Sequence, residues 1–136
     1  MTSPKTGGCL CGAVRYEING DPVADALCHC RDCQYVSGGE PASLVIVPRP
    51  AFKLTKGELS GYTKQGDSGK SVTRRFCANC GTQVISEVES APDIIVVKTG
   101  TLDDPSAFKA GVVLYTSSAQ PWAHMPEGIP HMPKGM

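Results

Sequence analysis

The stretch Cys28-His29-Cys30-Arg31-Asp32-Cys33 places three cysteines within six residues. The other cysteines form two similar pairs, in Cys9-Leu10-Cys11 and in Cys77-Ala78-Asn79-Cys80, so none of the seven lies outside a cluster. Cysteines placed by packing alone would not be expected to group in this way. Thiolates are good zinc ligands, and two of them one or two residues apart can reach the same ion from a single turn. The sequence therefore predicts zinc binding.

The number of cysteines suggests how they divide between metal ions. Two tetrahedral zinc sites need eight ligands, and the chain has seven cysteines. The two pairs are expected to form a closed structural site, the four-cysteine cluster: Cys9, Cys11, Cys77 and Cys80. The remaining residues form the three-cysteine cluster: Cys28, Cys30 and Cys33. Three protein ligands with one open position are typical of a catalytic zinc, so we expect two zinc ions per chain.

Other interpretations of the cysteines stay open. A zinc ribbon could pair Cys30 and Cys33 with Cys77 and Cys80, but it would leave three cysteines without a role. A redox Cys-x-x-Cys pair would explain only two of the cysteines, and buried structural cysteines would not explain the grouping. Iron could replace zinc in a site so rich in thiolates.

Length and composition limit the fold and the partners. The chain has 136 residues, which suits one domain, and its 15 glycines and 11 prolines favour turns and short elements. We expect a single zinc-binding domain over 1–136, with a core at about 7–120 and a proline-rich tail at 121–136, anchored by Trp122. The 13 basic and 13 acidic residues leave no excess of positive charge, which argues against a nucleic-acid partner.

The sequence also suggests a compartment. No charged start followed by an apolar stretch is visible at the N-terminus, and no apolar run approaches the roughly 20 residues that span a bilayer. We therefore expect a cytoplasmic protein without a membrane partner. In a reducing compartment, clustered cysteines more often bind metal than form disulfides. The sequence makes no prediction of the oligomeric state.

Local patterns predict a mainly β fold of short antiparallel strands. Residues 13–18 alternate, with Val14, Tyr16 and Ile18 on one side. Seven or eight short strands are expected in all, over residues 13–18, 42–47, 51–55, 59–63, 71–76, 84–88, 94–99 and 112–116. One short helix is expected at 31–37. A second is expected to begin at Asp103-Asp104-Pro105-Ser106 and to end near Gly111, since an acidic cap before proline is a helix start.

Four motifs carry a resemblance to a known family. GGCLCGAVRY (7–16), CHCRDCQYVSGG (28–39), FCANCGTQV (76–84) and YTSSAQPW (115–122) are similar to the signatures of the glutathione-dependent formaldehyde-activating enzymes, a family that also contains centromere protein V. The resemblance runs from about residue 7 to residue 129. It implies a mainly β fold shared with a Rab-interacting chaperone and two zinc sites, with the same division between the four-cysteine cluster and the three-cysteine cluster.

The resemblance also implies an activity, which is the addition of the glutathione thiol to formaldehyde. Written in reverse, this is a carbon–sulfur lyase reaction. We expect Cys28, Cys30 and Cys33 to be the catalytic residues and a small thiol such as glutathione to be the partner. The alternative function is a non-catalytic, zinc-stabilised interaction module, because membership of the family is wider than its activity.

Some residues near the clusters have two possible roles. His29 lies between two cysteines, and in an extended stretch we expect it to be partly exposed and not a ligand. The turn at 37–39 either admits substrate or only ends the helix. Arg74 and Arg75 are candidates for a substrate carboxylate, but on an alternating strand they face opposite ways, so at most one can have that role.

Overall fold

The structure is a computed structural model that describes residues 4–135, so positions 1–3 and 136 of the expected domain lie outside the described part. Within that part the chain forms ten β-strands and one α-helix. The strands are β1 (Lys5–Gly8), β2 (Arg15–Ile18), β3 (Ala24–Cys28), β4 (Ala42–Pro48), β5 (Phe52–Lys56), β6 (Ser60–Gln65), β7 (Ser71–Phe76), β8 (Gln83–Val88), β9 (Ile94–Lys98) and β10 (Val112–Leu114). The helix is α1 (Arg31–Ser37), and single 3-10 turns cover Arg49–Ala51, Thr99–Thr101 and Thr116–Ser118. The predicted mainly β class is confirmed.

The strands form two sheets. Seven of them make one sheet in the order β10-β3-β4-β9-β8-β7-β6, and the other three make a smaller sheet in the order β1-β2-β5. All of these neighbours pair antiparallel apart from β3 and β10, which run parallel. The fold is therefore antiparallel as predicted, with one parallel pair that brings the C-terminal part of the chain against β3.

The larger sheet is covered on both faces. Along β4, Val45 and Val47 pack into the core that also contains the inward residues of β2. Leu44 and Ile46 alternate with them and pack into a second core on the opposite face. Cys9 and Cys77 belong to the first core, whereas Cys28 and Cys33 belong to the second. The two cysteine clusters therefore lie on opposite sides of one sheet.

Most of the predicted elements are confirmed. Each predicted strand overlaps an observed one, the helix at 31–37 is α1, and the inward residues of β2 are buried as the alternation indicated. The strands β1 and β3 were not predicted, because Lys-Thr-Gly-Gly and Ala-Asp-Ala-Leu-Cys show no alternation of apolar and polar residues. The strand β1 forms by pairing with β2, and β3 forms by pairing with β4 and β10, and a pattern of apolar residues does not reveal such pairing.

The predicted helix at 103–111 is wrong, since the structure has turns over that described segment. Asp103 accepts hydrogen bonds from Thr6 and Arg15 and so does not cap a helix. Asp104 Oδ1 does accept from the backbone N–H of Ser106, at 3.0 Å, but this closes only a local turn. The N–H of Gly111 bonds to the carbonyl oxygen of Asp25 at 2.9 Å, which leads the chain into β10 before a helix can extend.

Candidate metal centres

The four-cysteine cluster is built from two similar turns. Cys9 and Cys11 lie between β1 and β2, and Cys77 and Cys80 lie between β7 and β8. In each turn a following backbone N–H reaches back to the first cysteine's carbonyl, from Gly12 to Cys9 at 3.1 Å and from Gly81 to Cys77 at 2.8 Å. Both glycines have positive φ, 82° and 77°, and positive φ is costly for other residues. Each turn thus presents two sulfur atoms to the same point.

The sulfur positions of this cluster fit a tetrahedral metal. The four Sγ atoms lie within 4.8 Å of one another. The Sγ atoms of Cys9 and Cys11 are 3.6 Å apart, and those of Cys11 and Cys77 are 3.8 Å apart. A tetrahedron with zinc–sulfur bonds of about 2.3 Å has edges of about 3.8 Å. The cluster therefore has both the donor atoms and the spacing that zinc requires.

Hydrogen bonds to these sulfur atoms favour the thiolate form. The backbone N–H of Val14 donates to Cys9 Sγ, and Asn79 Nδ2 donates to Cys11 Sγ, each at 3.2 Å. The hydroxyl of Thr82 lies 3.2 Å from Cys80 Sγ, and its hydrogen bond lowers the pKa of Cys80 to about 5. Because a metal ligand must be a thiolate, these contacts prepare the cluster for a cation.

The three-cysteine cluster is local in sequence and forms where β3 passes into α1. Cys28 is the last residue of β3, Cys30 is the N-cap of α1, and Cys33 lies in its first turn. The N–H of Cys33 donates to Cys30 Sγ at 3.2 Å, which is the usual N-cap bond made by sulfur instead of oxygen. The three Sγ atoms lie within 4.8 Å of one another. Cys28 and Cys33 are buried, whereas Cys30 is partly exposed.

The charges in this cluster also indicate a cation. Hydrogen bonds from Cys28 and Cys33 lower the pKa of Cys30, whereas hydrogen bonds with Cys30 and Cys33 raise the pKa of Cys28. Cys30 is thus the thiol of this cluster that loses its proton most readily. Three adjacent thiolates would repel one another unless a metal ion neutralised them. The donor set fits zinc, with three sulfur ligands and one further tetrahedral position.

The structure brings the seven predicted residues together as two separate groups, four and three. It does not bring Cys30 and Cys33 to Cys77 and Cys80, so the zinc-ribbon arrangement is wrong. The expectation that His29 is partly exposed is wrong, because its side chain is only 1% exposed. Its ring nitrogens do not belong to the three-cysteine cluster, and the buried Nε2 has no hydrogen-bond partner within residues 4–135. Its backbone N–H donates to the carbonyl oxygen of Leu114 at 2.9 Å, beside the parallel strand pair.

The structure also bears on the predictions for the turn at 37–39 and for the C-terminal tail. Gly38 takes up a left-handed conformation, with φ 79°, and ends α1, which supports the simpler of the two roles considered for this turn. Trp122 is 56% exposed, and its ring edge lies 3.5 Å from the position that a Cβ on Gly39 would take, so the ring contacts the end of α1 at the surface. Backbone hydrogen bonds also hold the tail, including Met132 N–H to Val113 O at 2.8 Å.

Several residues around the three-cysteine cluster were not predicted. Gln34 is buried, and its Nε2 donates to the carbonyl oxygens of His29 at 2.7 Å and Ser118 at 3.0 Å. It therefore joins α1 to the C-terminal segment. Ser86 and Lys98 lie on the sheet face that α1 covers. The only sign of Ser86 and Lys98 in the sequence is that each is a polar residue at an inward position of an apolar strand.

The surface of the described part includes a cleft of about 570 Å³, lined by Arg49, Arg75 and Glu87 among others. Another cleft, of about 400 Å³, lies between the end of α1 and β9 and includes Ser37, Gln83 and Lys98. Neither cleft has a cysteine in its wall, so cleft size does not identify the site, and the cysteine clusters do.

No helix in the described residues is both long enough and apolar enough to cross a membrane.

A family model described as glutathione-dependent formaldehyde-activating enzyme matches residues 4–118. The chain is also similar to the crystal structure of a Rhodobacter sphaeroides protein, with a TM-score of 0.61 and 18% sequence identity. That match covers 93% of this chain and 98% of the other. At this identity the likeness concerns the fold alone.

Proposed function

The chain belongs to the glutathione-dependent formaldehyde-activating enzyme family, and we propose that it adds a small thiol such as glutathione to formaldehyde or a similar small aldehyde. In the reverse direction the enzyme would be a carbon–sulfur lyase. The observation that carries this proposal is the inequality of the two clusters, four sulfur atoms in one and three in the other. We place the enzyme in the cytoplasm, where the cysteines would stay reduced.

The two clusters have different roles in this proposal. The four-cysteine cluster would hold a structural zinc, since its own sulfur atoms complete a tetrahedron. The three-cysteine cluster would hold a second zinc and leave one position for the substrate. When bound there, zinc would keep the substrate thiol deprotonated near pH 7, and a thiolate is a much better nucleophile than a thiol.

The protein's own residues would hold this site in shape. The burial of Cys28 and Cys33 keeps water from the inner side, and the partly exposed Cys30 marks the side from which substrate enters. The N–H bond from Cys33 to Cys30 Sγ fixes the start of α1. In the reaction, the substrate sulfur forms a bond to the aldehyde carbon, the carbonyl π bond breaks, and the oxygen takes up one proton in place of that lost by the thiol. No oxidant or reductant is needed.

Cobalt substitution tests the proposal. In the protein carrying two Co²⁺ ions the cysteines already give thiolate-to-cobalt absorption, and we expect glutathione to change that absorption and to support consumption of formaldehyde. The variant Cys30→Ala should lose one metal ion and the activity. Tyr35→Phe on the exposed side of the same helix is the matched control and should keep both.

Two results would contradict the proposal. One is a Cys30→Ala protein that keeps both metal ions. The other is the absence of any spectral change with glutathione, which would favour the non-catalytic, zinc-stabilised interaction module.

A further inference from the structure

The sheet face beneath α1 carries a row of polar residues in an otherwise apolar core. Arg74 on β7 lies directly opposite Ser86 on β8, and Ser86 lies opposite Val96 on β9. Residues opposite one another share a face, as do residues two apart in one strand. Lys98 is two residues after Val96, so it lies on this face too, diagonal to Ser86. Val96 packs in the same core as Cys28 and Cys33. The row therefore faces the three-cysteine cluster.

Two donors in this row are buried and without a partner. Ser86 is only 4% exposed, and its Oγ makes no hydrogen bond within residues 4–135. Within the same residues, the buried Nε of Arg74 likewise has none. A buried donor without an acceptor costs free energy, and native structures usually supply a partner from the protein, from water or from a ligand.

The charges of the row are also uncompensated by acidic side chains. Neither Arg74 nor Lys98 forms an ion pair with a carboxylate in the part of the chain that the structure describes. The nearest acidic residue of α1, Asp32, is already paired with Lys64 at 2.7 Å. Burial lowers the pKa of Lys98, and the charge of Arg74 lowers it further, whereas the thiolates of the three-cysteine cluster oppose the shift.

The neighbouring arginine shows what a compensated cation looks like in this sheet. Arg75 points to the opposite face, where its Nε donates to Glu87 Oε2 at 2.8 Å. A zinc ion with three thiolates carries a net charge of −1, and Arg74 with Lys98 carries +2. Before a substrate thiolate joins the metal, the site therefore carries one positive charge in excess. Lys98 also lines a cleft of about 400 Å³ at the surface of the described residues.

We propose that Arg74, Ser86 and Lys98 form a carboxylate-binding subsite that selects acid-bearing thiols over neutral ones. Arg74 would donate to the carboxylate through Nε, Ser86 would donate through its hydroxyl, and Lys98 would supply the second positive charge. The inference rests on the proposed function, because it assigns the substrate's carboxylate to a site beside the three-cysteine cluster. Arg74 is thus the one arginine of its pair that has this role.

The test measures thiol binding with two probes matched in size, 3-mercaptopropionate and 3-mercaptopropionamide. Their dissociation constants are read from the thiolate-to-cobalt band of the cobalt-loaded protein. We expect the wild-type protein to bind the acid about tenfold more tightly than the amide, since hydrogen bonds to charged groups are the stronger class. Arg74→Gln should abolish this preference, because it should weaken binding of the acid much more than binding of the amide. Arg75→Gln, on the same strand but the opposite face, should retain the preference.

Three results would overturn the inference, and they separate it from the proposed function. Equal weakening of both thiols by Arg74→Gln would show that the arginine only balances the charge of the metal site. Equal affinities in the wild-type protein would remove the subsite and leave the proposed function standing. If neither thiol changed the thiolate-to-cobalt absorption, both the subsite and the proposed function would be contradicted. Where Arg74→Gln fails to fold, Lys98→Gln should show the same selective loss.

Discussion

The four-cysteine cluster and the three-cysteine cluster have the same kind of donor atom but are built from different parts of the chain. The first joins two turns that are far apart in sequence, since Cys11 and Cys77 are separated by 66 positions and their sulfur atoms by 3.8 Å. The second lies within six residues at the start of one short helix. A metal that closes a long loop stabilises the fold, whereas a local cluster leaves the fold almost independent of its metal.

The packing around each cluster follows the same division. On the four-cysteine side, the small sheet is fixed by close contacts such as the hydrogen bond of 2.7 Å between the hydroxyls of Tyr16 and Thr101. On the three-cysteine side, α1 is held by Gln34 and by an ion pair at the surface. We therefore expect substitutions on the first side to affect stability and those on the second to affect binding.

Replacing Cys77 should have the largest effect. Cys77→Ala removes a buried ligand of the closed site, and the lost metal binding should cost more than about 4 kcal/mol, because binding at structural zinc sites contributes directly to folding. Cys30→Ala should cost less than about 2 kcal/mol. Urea unfolding of the two variants, with metal content measured in parallel, checks this. Equal losses from both would contradict the division of roles.

Gly7→Ala should have the next largest effect. A Cβ at Gly7 would lie 2.4 Å from both the carbonyl oxygen of Thr101 and the hydroxyl of Tyr16. Backbone cannot move aside as a flexible side chain can, so we expect a loss of about 2–3 kcal/mol, the range of overpacked cores.

The control for this prediction is Gly100→Ala, where nothing lies within 4 Å of the added atom. Its unfolding midpoint in urea should stay close to that of the wild-type protein. If Gly7→Ala were as mild as Gly100→Ala, the small sheet would be loosely packed and the contrast between the two sides would fail.

Much of this fold could be predicted from local patterns, and the exceptions have physical reasons. The alternation in β2 was sufficient because one face of that strand is buried and the other is partly exposed. In β1, by contrast, two glycines form half of the strand, and they are there because the backbones approach too closely for a Cβ. A pattern of apolar residues carries no information about such a strand.

The candidate site divides in a similar way. The spacing and the number of the cysteines together predicted both groups. Short-range spacing fixes which sulfur atoms share a turn, and the count of seven divides them into four and three. It could not predict that Ser86 and Lys98 face the three-cysteine cluster, since that depends on strand order and register. Nor could it predict the burial of His29, which follows from the parallel pairing of β3 with β10.

Tyr16→Phe should have a moderate effect that depends on pH. Burial raises the pKa of Tyr16 to about 12, although the hydrogen bond with Thr101 opposes the shift. The folded state thus binds this proton more tightly than the unfolded state, so the stability that it contributes is complete below pH 10 and is lost as the pH rises toward 12. We expect the wild-type protein to be more stable than the variant by about 1 kcal/mol at pH 8, the usual value of one hydrogen bond.

Unfolding in urea at several pH values between 8 and 11.5 measures this difference. The advantage of the wild-type protein should shrink above pH 10. A difference that stays constant over this range would show that Tyr16 ionises without cost, and the core on the four-cysteine side would then be more open to water than its 1% exposure indicates.

Asp32→Asn should have the smallest effect. The carboxylate of Asp32 lies 2.7 Å from the ammonium of Lys64, but the two side chains are 29% and 54% exposed, so solvent and salt screen the pair. We expect a loss of about 0.5 kcal/mol at low salt, with less at 1 M salt. A double-mutant cycle with Lys64→Met isolates the coupling between the two charges. A coupling above about 2 kcal/mol would mean that α1 is fixed to the sheet as firmly as the turns of the closed cluster, and the open cluster would then also be part of the folding core.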